Sequence, residues 1–183
     1  PTNQYYALAK IAGVKLCESF NIQYDRNYIS LMPSNLFGPN DNYNLENSHF
    51  LPAVIKKIYL AKQNRKSLKF WGTGKAKREL TYVDDLAEAC IFFLKKKTQH
   101  TLINIGSGYE KTINEYINLI CKKLGYKEKI KFNQDKFMDG TPRKVLDCSI
   151  AKKYGWKSKW SLNKSIDLTI KDFKLNKKKY LKM

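Results

Sequence analysis

Apolar runs of strand length alternate with segments of helical period along most of the chain, and this alternation constrains the fold more than any other feature. Strands separated by helices pair in parallel through crossovers, so the order predicts an α/β fold. The helical segments begin with YYALAKIAGVKLCESF over 5–20, where Leu8, Ile11, Ala12, Leu16 and Phe20 recur at helical spacing. A second covers roughly 50–63, with Phe50, Leu51, Val54, Ile55, Ile58 and Tyr59 apolar and Lys56, Lys57 and Lys62 on its basic side. VDDLAEACIFFLKK opens on two aspartates that suit the positive end of a helix dipole. TINEYINLICKKLG carries a capping box, Thr112 with Glu115, and a glycine stop at Gly125. Two more helices are expected around SIAKKYG and LNKSIDLTIKDF. Strands are expected in RNYISLMPSN, ended by Pro33, in TLINIGSG, in KIKFN, and as a pair around the glycine turn of SLKFWGTGKAKRELTYV. NLFGPNDNYNLENSH and DGTPRK read as loops.

With 183 residues, 43% of them hydrophobic, the chain can bury a core and reads as one globular domain or part of a larger one. It starts at Pro1 and enters a helical pattern at once, without a signal-type segment, so truncation at the N-terminus is expected. No apolar run approaches the roughly 20 residues that cross a bilayer, and no membrane partner is expected. Cys17, Cys90, Cys121 and Cys148 are scattered, with no C-x-x-C pair and no nearby histidine. They read as reduced thiols of a cytoplasmic protein, with no metal. The formal charge of +19 invites a nucleic-acid reading, yet the lysines fall in runs such as Lys95–Lys97 and Lys177–Lys179, mixed with Asn, Ile and Tyr. That mixture reads as a solvated face and not as a nucleic-acid site. A basic, non-enzymatic binder of RNA or other polyanions is the alternative from a different class; its affinity would collapse as salt rises.

On a helix, Tyr6 and Lys10 at i and i+4 share one face. A phenol ordinarily titrates near pH 10, and an ammonium beside it favours the phenolate. Such a tyrosine is suited to give a proton to a carbonyl oxygen as hydride reaches the carbon. With 12 tyrosines in a lysine-rich chain, the spacing by itself is weak. No strand-to-helix fingerprint of three glycines appears, since GSGYEK and GTGKAKREL lack the third.

The segments downstream of the pair strengthen its reading. Tyr-x-x-x-Lys on a helix, a strand running into NLFGP, and a strand and helix entered through TYVDDLA together resemble the extended short-chain dehydrogenase/reductase family of nucleotide-sugar enzymes. Within that family the chain is most similar to epimerase-reductases acting on GDP-4-keto-6-deoxy-D-mannose. The segments that match are YALAKIAG, PSNLFGPNDNYNLENSHFLPA, FWGTGKAKREL and DGTPRKVLD, in the family's order, over most of residues 1–160. Ser34 and Phe37 stand where Thr and Tyr are usual, TYVDD replaces a histidine-containing version, and Met138 replaces a proline.

The resemblance implies the C-terminal part of a Rossmann-like doubly wound parallel sheet plus a smaller α/β substrate-binding domain. Residues 1–48 would belong to the NADP-binding domain and 49–183 mainly to the GDP-sugar domain, with segments around 81–105 returning to the first. It implies NADP(H) as cofactor, with Tyr6 the proton donor in 4-keto reduction and Lys10 holding the nicotinamide ribose and tuning Tyr6. Pro33, Ser34, Asn35 and Leu36 would line the nicotinamide side, together with His49. His49 would also be the acid in epimerisation at C3 and C5, for which a pKa near 6.5 is suited. Lys57, Trp71, Arg78 and Asp139 would contact the substrate, Arg78 by offering a planar fork to phosphate oxygens, and Arg143 is a weaker candidate for the phosphates. The ordinary readings are a core Trp71, a helix-surface Lys57 and a turn residue Asp139 before Gly140. The family's Gly-rich loop, catalytic serine and cysteine base lie upstream of these motifs, so this chain alone is expected to be inactive, and the full-length protein to be a homodimer. The nearest alternative is another nucleotide-sugar epimerase, dehydratase or reductase of the same family.

Overall fold

The computed structural model describes residues 3–134 and 139–183, so Met138 lies outside the described residues. α1 (Gln4–Tyr24) turns into β1 (Ser30–Pro33) and β2 (Asn35–Phe37). Next come α2 (Phe50–Gln63), β3 (Leu68–Phe70), β4 (Lys77–Tyr82), α3 (Val83–Leu94), β5 (Leu102–Ile105) and β6 (Glu110–Thr112). α4 (Ile113–Leu124), β7 (Ile130–Phe132), β8 (Arg143–Lys144), α5 (Ser149–Lys153), α6 (Leu162–Leu175) and α7 (Lys177–Lys182) complete the order.

Parallel pairing dominates, as the alternation predicts. β1 runs parallel to β5, with Ser30 opposite Leu102 and Pro33 opposite Ile105. β2 is parallel to the end of β4, Asn35 opposite Leu80, while β3 is parallel to β7. The start of β4 takes β6 antiparallel and β8 parallel, Lys77 lying opposite both Thr112 and Arg143. Only Ser34 separates β1 from β2, so the chain changes sheets within one residue. Its amide bonds the Ile105 carbonyl at 3.0 Å and its hydroxyl meets Thr81 Oγ1 at 2.6 Å, one bond to each sheet.

Two apolar cores flank this crossing. The smaller joins Ala89 and Phe93 of α3, Ile103 and Ile105 of β5, Ala151 of α5 and Trp156, with Ile29 and Leu31 packed against it. The larger is built from α2, α4, α6 and α7 over Leu80, Tyr82, Phe37 and Tyr43. The capping box at Thr112 and Glu115 forms with both reciprocal bonds, and Gly125 closes α4 at φ 64°, where a side chain is strained. α1 differs from the other long helices: none of its residues is buried, and Leu8, Ile11 and Leu16 of its apolar stripe are exposed.

Several expectations need correction. β2 and β8 lie in stretches read as loops, and β6 in one read as a glycine stop and helix start; all three are two or three residues long and take their bonds from β4, far away in sequence. The lysine run at 177–179 is exposed, as expected of a solvated face, but it opens a helix not expected from the sequence, α7, which buries Tyr180. Asp85, read as a dipole partner, is buried and accepts bonds from Ser158 Oγ at 2.6 Å and Lys159 N at 2.8 Å, so it also ties α3 to the segment before α6.

All four thiols are free. Burial pushes Cys121 and Cys148 up to about 11, whereas Cys90 is exposed. At pH 8 a thiol titrating near 11 is thiolate in about one molecule per thousand. Iodoacetamide is therefore expected to label Cys90 in the native protein and to spare Cys121 and Cys148 until denaturant is added. Equal labelling of all three in the native state, read by peptide mass, would contradict this packing. No helix of the described residues is long and apolar enough to cross a membrane.

Candidate active site

Tyr6 and Lys10 stand one turn apart on α1, with Lys10 Nζ 5.3 Å from the centroid of the Tyr6 ring. Tyr6 is 62% exposed, so the phenol and ammonium form one accessible unit and not a core contact. Pro33, Ser34, Asn35 and Leu36 lie where the chain leaves the carboxyl end of β1 for the second sheet. Open α/β sheets place ligands at such switch points. Ser34 and Asn35 offer a hydroxyl and an amide at this crossing, and Tyr6 and Lys10 stand on α1, the helix that precedes β1.

Glu79, which sequence reasoning missed, holds this region in place. It is 0% exposed. Its Oε1 accepts from Gly108 N at 2.8 Å and its Oε2 from Leu146 N at 3.0 Å, joining the loop after β5 to the segment before α5. Its carbonyl accepts from Asn35 Nδ2 at 3.2 Å. Gly106 is required beside it, since a Cβ there would run into the Glu79 carboxylate and come within 2.9 Å of Cys148 Sγ. Thr81, two residues on and so on the same strand face, accepts from Ser107 N at 3.0 Å as well as meeting Ser34. The available signal was the pattern Glu-x-Thr on one face of a buried strand.

Lys57, Trp71, Arg78 and Asp139 come together on the other side of β4. Trp71 is 75% exposed, which corrects the core reading, and Lys57 Nζ lies 5.3 Å from the centroid of its ring. Gly72 follows at φ 70°, and a Cβ on it would strike the Asp139 carboxylate. Asp139 accepts from Thr73 Oγ1 at 2.6 Å and Thr73 N at 2.7 Å, and these bonds hold its carboxyl below the usual range. Both oxygens thus engage Thr73, and Asp139 directly precedes Gly140, at φ 64°. Arg78 donates from Nη1 to the carbonyls of Thr141 at 2.6 Å and Lys77 at 2.8 Å, and from Nη2 to that of Asp139 at 3.2 Å. It shapes the 139–141 turn that faces Trp71. Arg143 is engaged elsewhere: its guanidinium grips Glu110 at 3.0 Å from Nε and 2.6 Å from Nη2.

His49 precedes the first turn of α2 with extended backbone, φ −69° and ψ 169°, and its side chain is exposed. Asp41 lies close enough for the histidine's charge to act on it: burial raises the Asp41 carboxyl, while an amide bond from Asn42 and then His49 oppose that rise. Among the described residues no group of three or more His, Cys, Asp and Glu side chains is arranged to hold a metal ion.

Residues 1–106 match the NAD dependent epimerase/dehydratase family. Over 92% of its length the chain is 45% identical to GDP-L-fucose synthase 1 of Arabidopsis thaliana and spans 52% of that protein. It is 40% identical over 97% of its length to GDP-L-colitose synthase of Yersinia pseudotuberculosis, spanning 58% of it. The crystal structure of a GDP-L-fucose synthetase from Naegleria fowleri bound to NADP superposes with a TM-score of 0.88 at 25% identity, covering 97% of this chain and 55% of that one. The chain spans about half the length of the curated relatives it matches. Its Rossmann-like α/β architecture is shared with them, and with more than half of its residues matched the chain belongs to the NAD dependent epimerase/dehydratase family.

Proposed function

We propose that the protein containing this chain is a GDP-L-fucose synthase, converting GDP-4-keto-6-deoxy-D-mannose to GDP-L-fucose by 3,5-epimerisation and NADPH-dependent 4-reduction. The observation that carries this reading is β4. On one side Arg78 shapes the turn beside the exposed Trp71, and on the other Glu79 and Thr81 hold the switch point. A single strand thereby faces a sugar nucleotide at one end and a nicotinamide at the other. In this reading residues 1–48 and about 81–105 lie on the cofactor side and 49–183 mainly on the substrate side; the smaller core supports this for β1, α3 and β5, while Phe37, Tyr43 and Tyr82 pack in the larger core. The segment around Ala151 and Trp156 joins the cofactor side, because its apolar side chains pack in the smaller core.

In this reading Tyr6 gives its proton to the 4-oxygen, and the Lys10 ammonium stabilises the phenolate left behind. NADPH, when bound, supplies the hydride for C4. His49 exchanges protons at C3 and C5, which the adjacent keto group acidifies. Lys10, Pro33, Ser34, Asn35, Leu36 and His49 hold the nicotinamide side. Trp71 offers an open face for stacking, and Lys57, Arg78 and Asp139 surround the GDP-sugar. The exposed apolar residues of α1 support a homodimer or a larger assembly that covers them, and the four free thiols support a cytoplasmic protein.

The deciding assay measures NADPH oxidation by the protein containing this chain, with GDP-4-keto-6-deoxy-D-mannose against UDP- and dTDP-linked 4-keto sugars. Turnover confined to the GDP-sugar is expected. A folded, NADPH-binding protein that does not turn over the GDP-sugar would move the reading to a related nucleotide-sugar enzyme, such as one making the colitose nucleotide. His49→Gln is expected to slow solvent deuterium entry at C3 and C5 by about 10²-fold or more without abolishing NADPH binding. Deuterium entry at the wild-type rate would remove His49 from the chemistry.

A further inference from the structure

The C-terminal helix and the loop carrying His49 are joined by an uninterrupted set of contacts. The rings of Tyr43, Phe173 and Tyr180 contact one another as a triad: Tyr43 lies 4.8 Å from Phe173 and 4.5 Å from Tyr180, and the latter two are parallel to within 7° at 6.0 Å. Tyr180 Oη donates to Asp172 Oδ2 at 2.8 Å, and the same oxygen accepts from Asn40 N at 3.2 Å. Asn176 Nδ2 donates to the other oxygen, Oδ1, at 2.8 Å. Asn40 is in the left-handed region at φ 63°, which asparagine adopts more readily than most residues, and its amide bond to Asp172 fixes it there. The Tyr180 carbonyl, in the last turn of α7 where helix carbonyls lack internal partners, accepts from Lys56 Nζ at 2.9 Å. Lys56 is only 5% exposed and lies on α2, the helix that His49 precedes.

Between Tyr43 and His49 there is little slack. Asn44 Oδ1 accepts from Glu46 N at 2.9 Å and Asn47 N at 3.2 Å, while Ser48 N donates to the Asn44 carbonyl at 2.8 Å. This closed turn carries the position of the buried Tyr43 directly to His49. The other flank of His49 is α2, which Lys56 fastens to α7. Both sides of an exposed histidine are thus referred to the same short helix.

We propose that Asp172 and Tyr180 are positioning residues: together with Lys56 they latch the 38–49 loop onto α7 and so set the position from which His49 acts. They touch no substrate and work through the loop. The proposal rests on the reading of His49 as the acid in epimerisation. Misplacing a catalytic group by about 1 Å costs on the order of 10²-fold in rate, which is the scale of effect a released loop would have.

The test uses Tyr180→Phe and Asp172→Asn in the protein containing this chain. Phenylalanine keeps the ring stack and removes the hydroxyl that bonds Asp172 and lies against the Asn40 amide; asparagine keeps the shape and weakens the acceptor shared by Asn40 and Tyr180. Two readouts are taken: backbone amide exchange over 40–48, and solvent deuterium entry at C3 and C5 of GDP-4-keto-6-deoxy-D-mannose. Both variants are expected to raise amide exchange over 40–48 by about tenfold and to lower deuterium entry by about tenfold or more, with KM for NADPH within about twofold of wild type. Faster amide exchange with deuterium entry at the wild-type rate would overturn the positioning role, and so would unchanged amide exchange. Should Asp172→Asn fail to fold, Tyr180→Phe decides. If the wild-type protein and His49→Gln exchange deuterium alike, the reading of His49 falls; the latch then stands or falls on whether amide exchange rises selectively over 40–48.

Discussion

Tyr6→Phe is expected to lower the rate of 4-keto reduction by about 10² to 10⁴-fold while NADPH binding stays near its wild-type level. The substitution is clean for a physical reason. Tyr6 is 62% exposed on α1, so removing its hydroxyl leaves no cavity and no orphaned partner. The ring that Lys10 Nζ approaches at 5.3 Å is retained, so the ammonium keeps its neighbour. Only the transferable proton is lost. Single-turnover NADPH oxidation with the GDP-4-keto sugar, beside a direct NADPH titration, separates the two quantities. A variant that reduces the sugar within about threefold of wild type would show that Tyr6 is one more exposed tyrosine.

Glu79→Leu is expected to destabilise the chain by about 1–3 kcal/mol, because the buried carboxylate that accepts from the part-buried N–H groups of Gly108 and Leu146 is lost. Leucine is close to glutamate in volume, so the loss measures satisfaction of polar groups more than packing. Glu79→Gln is expected to fall between, since the amide keeps one acceptor oxygen but turns an NH₂ toward the second N–H. Urea unfolding of the three proteins gives the ordering directly. A leucine variant within about 0.5 kcal/mol of wild type would mean that water reaches both amides and that the carboxylate is not the clasp. The loop after β5 lies beside Ser34 and Asn35, so the same substitution is expected to weaken NADPH binding before it unfolds the protein.

The parts of this molecule readable in advance are those governed by neighbours three or four residues apart. The periods of α2 and α4, the reciprocal bonds of Thr112 and Glu115, the stop at Gly125 and the adjacency of Tyr6 and Lys10 all depend on local geometry. That strands pair mostly in parallel follows from the alternation, but the choice of β5 by β1 and of β7 by β3, each across several intervening elements, does not. Site residues carried by motif resemblance were legible as candidates, but their present bonds were not. Arg143, the weaker candidate for the phosphates, bonds Glu110, 33 positions away. Asp139 was read as a substrate acceptor, and Thr73, 66 positions away, engages both of its oxygens.

Local periodicity and capping thus determined α1 to α6, the fold class and the spacing of the candidate catalytic pair from the residues alone, but not α7. The clasp at Glu79, the exposure of Trp71, the three short strands on β4 and the seating of the histidine loop on α7 were settled by tertiary contact. The physical reason is sequence distance. Glu79 meets Leu146 across 67 positions, Asn40 meets Asp172 across 132 and Lys56 meets Tyr180 across 124, so no window of local pattern contains both partners of any of these bonds. A buried polar group needs a partner wherever it lies in the chain, and which partner it finds is a property of the packed molecule.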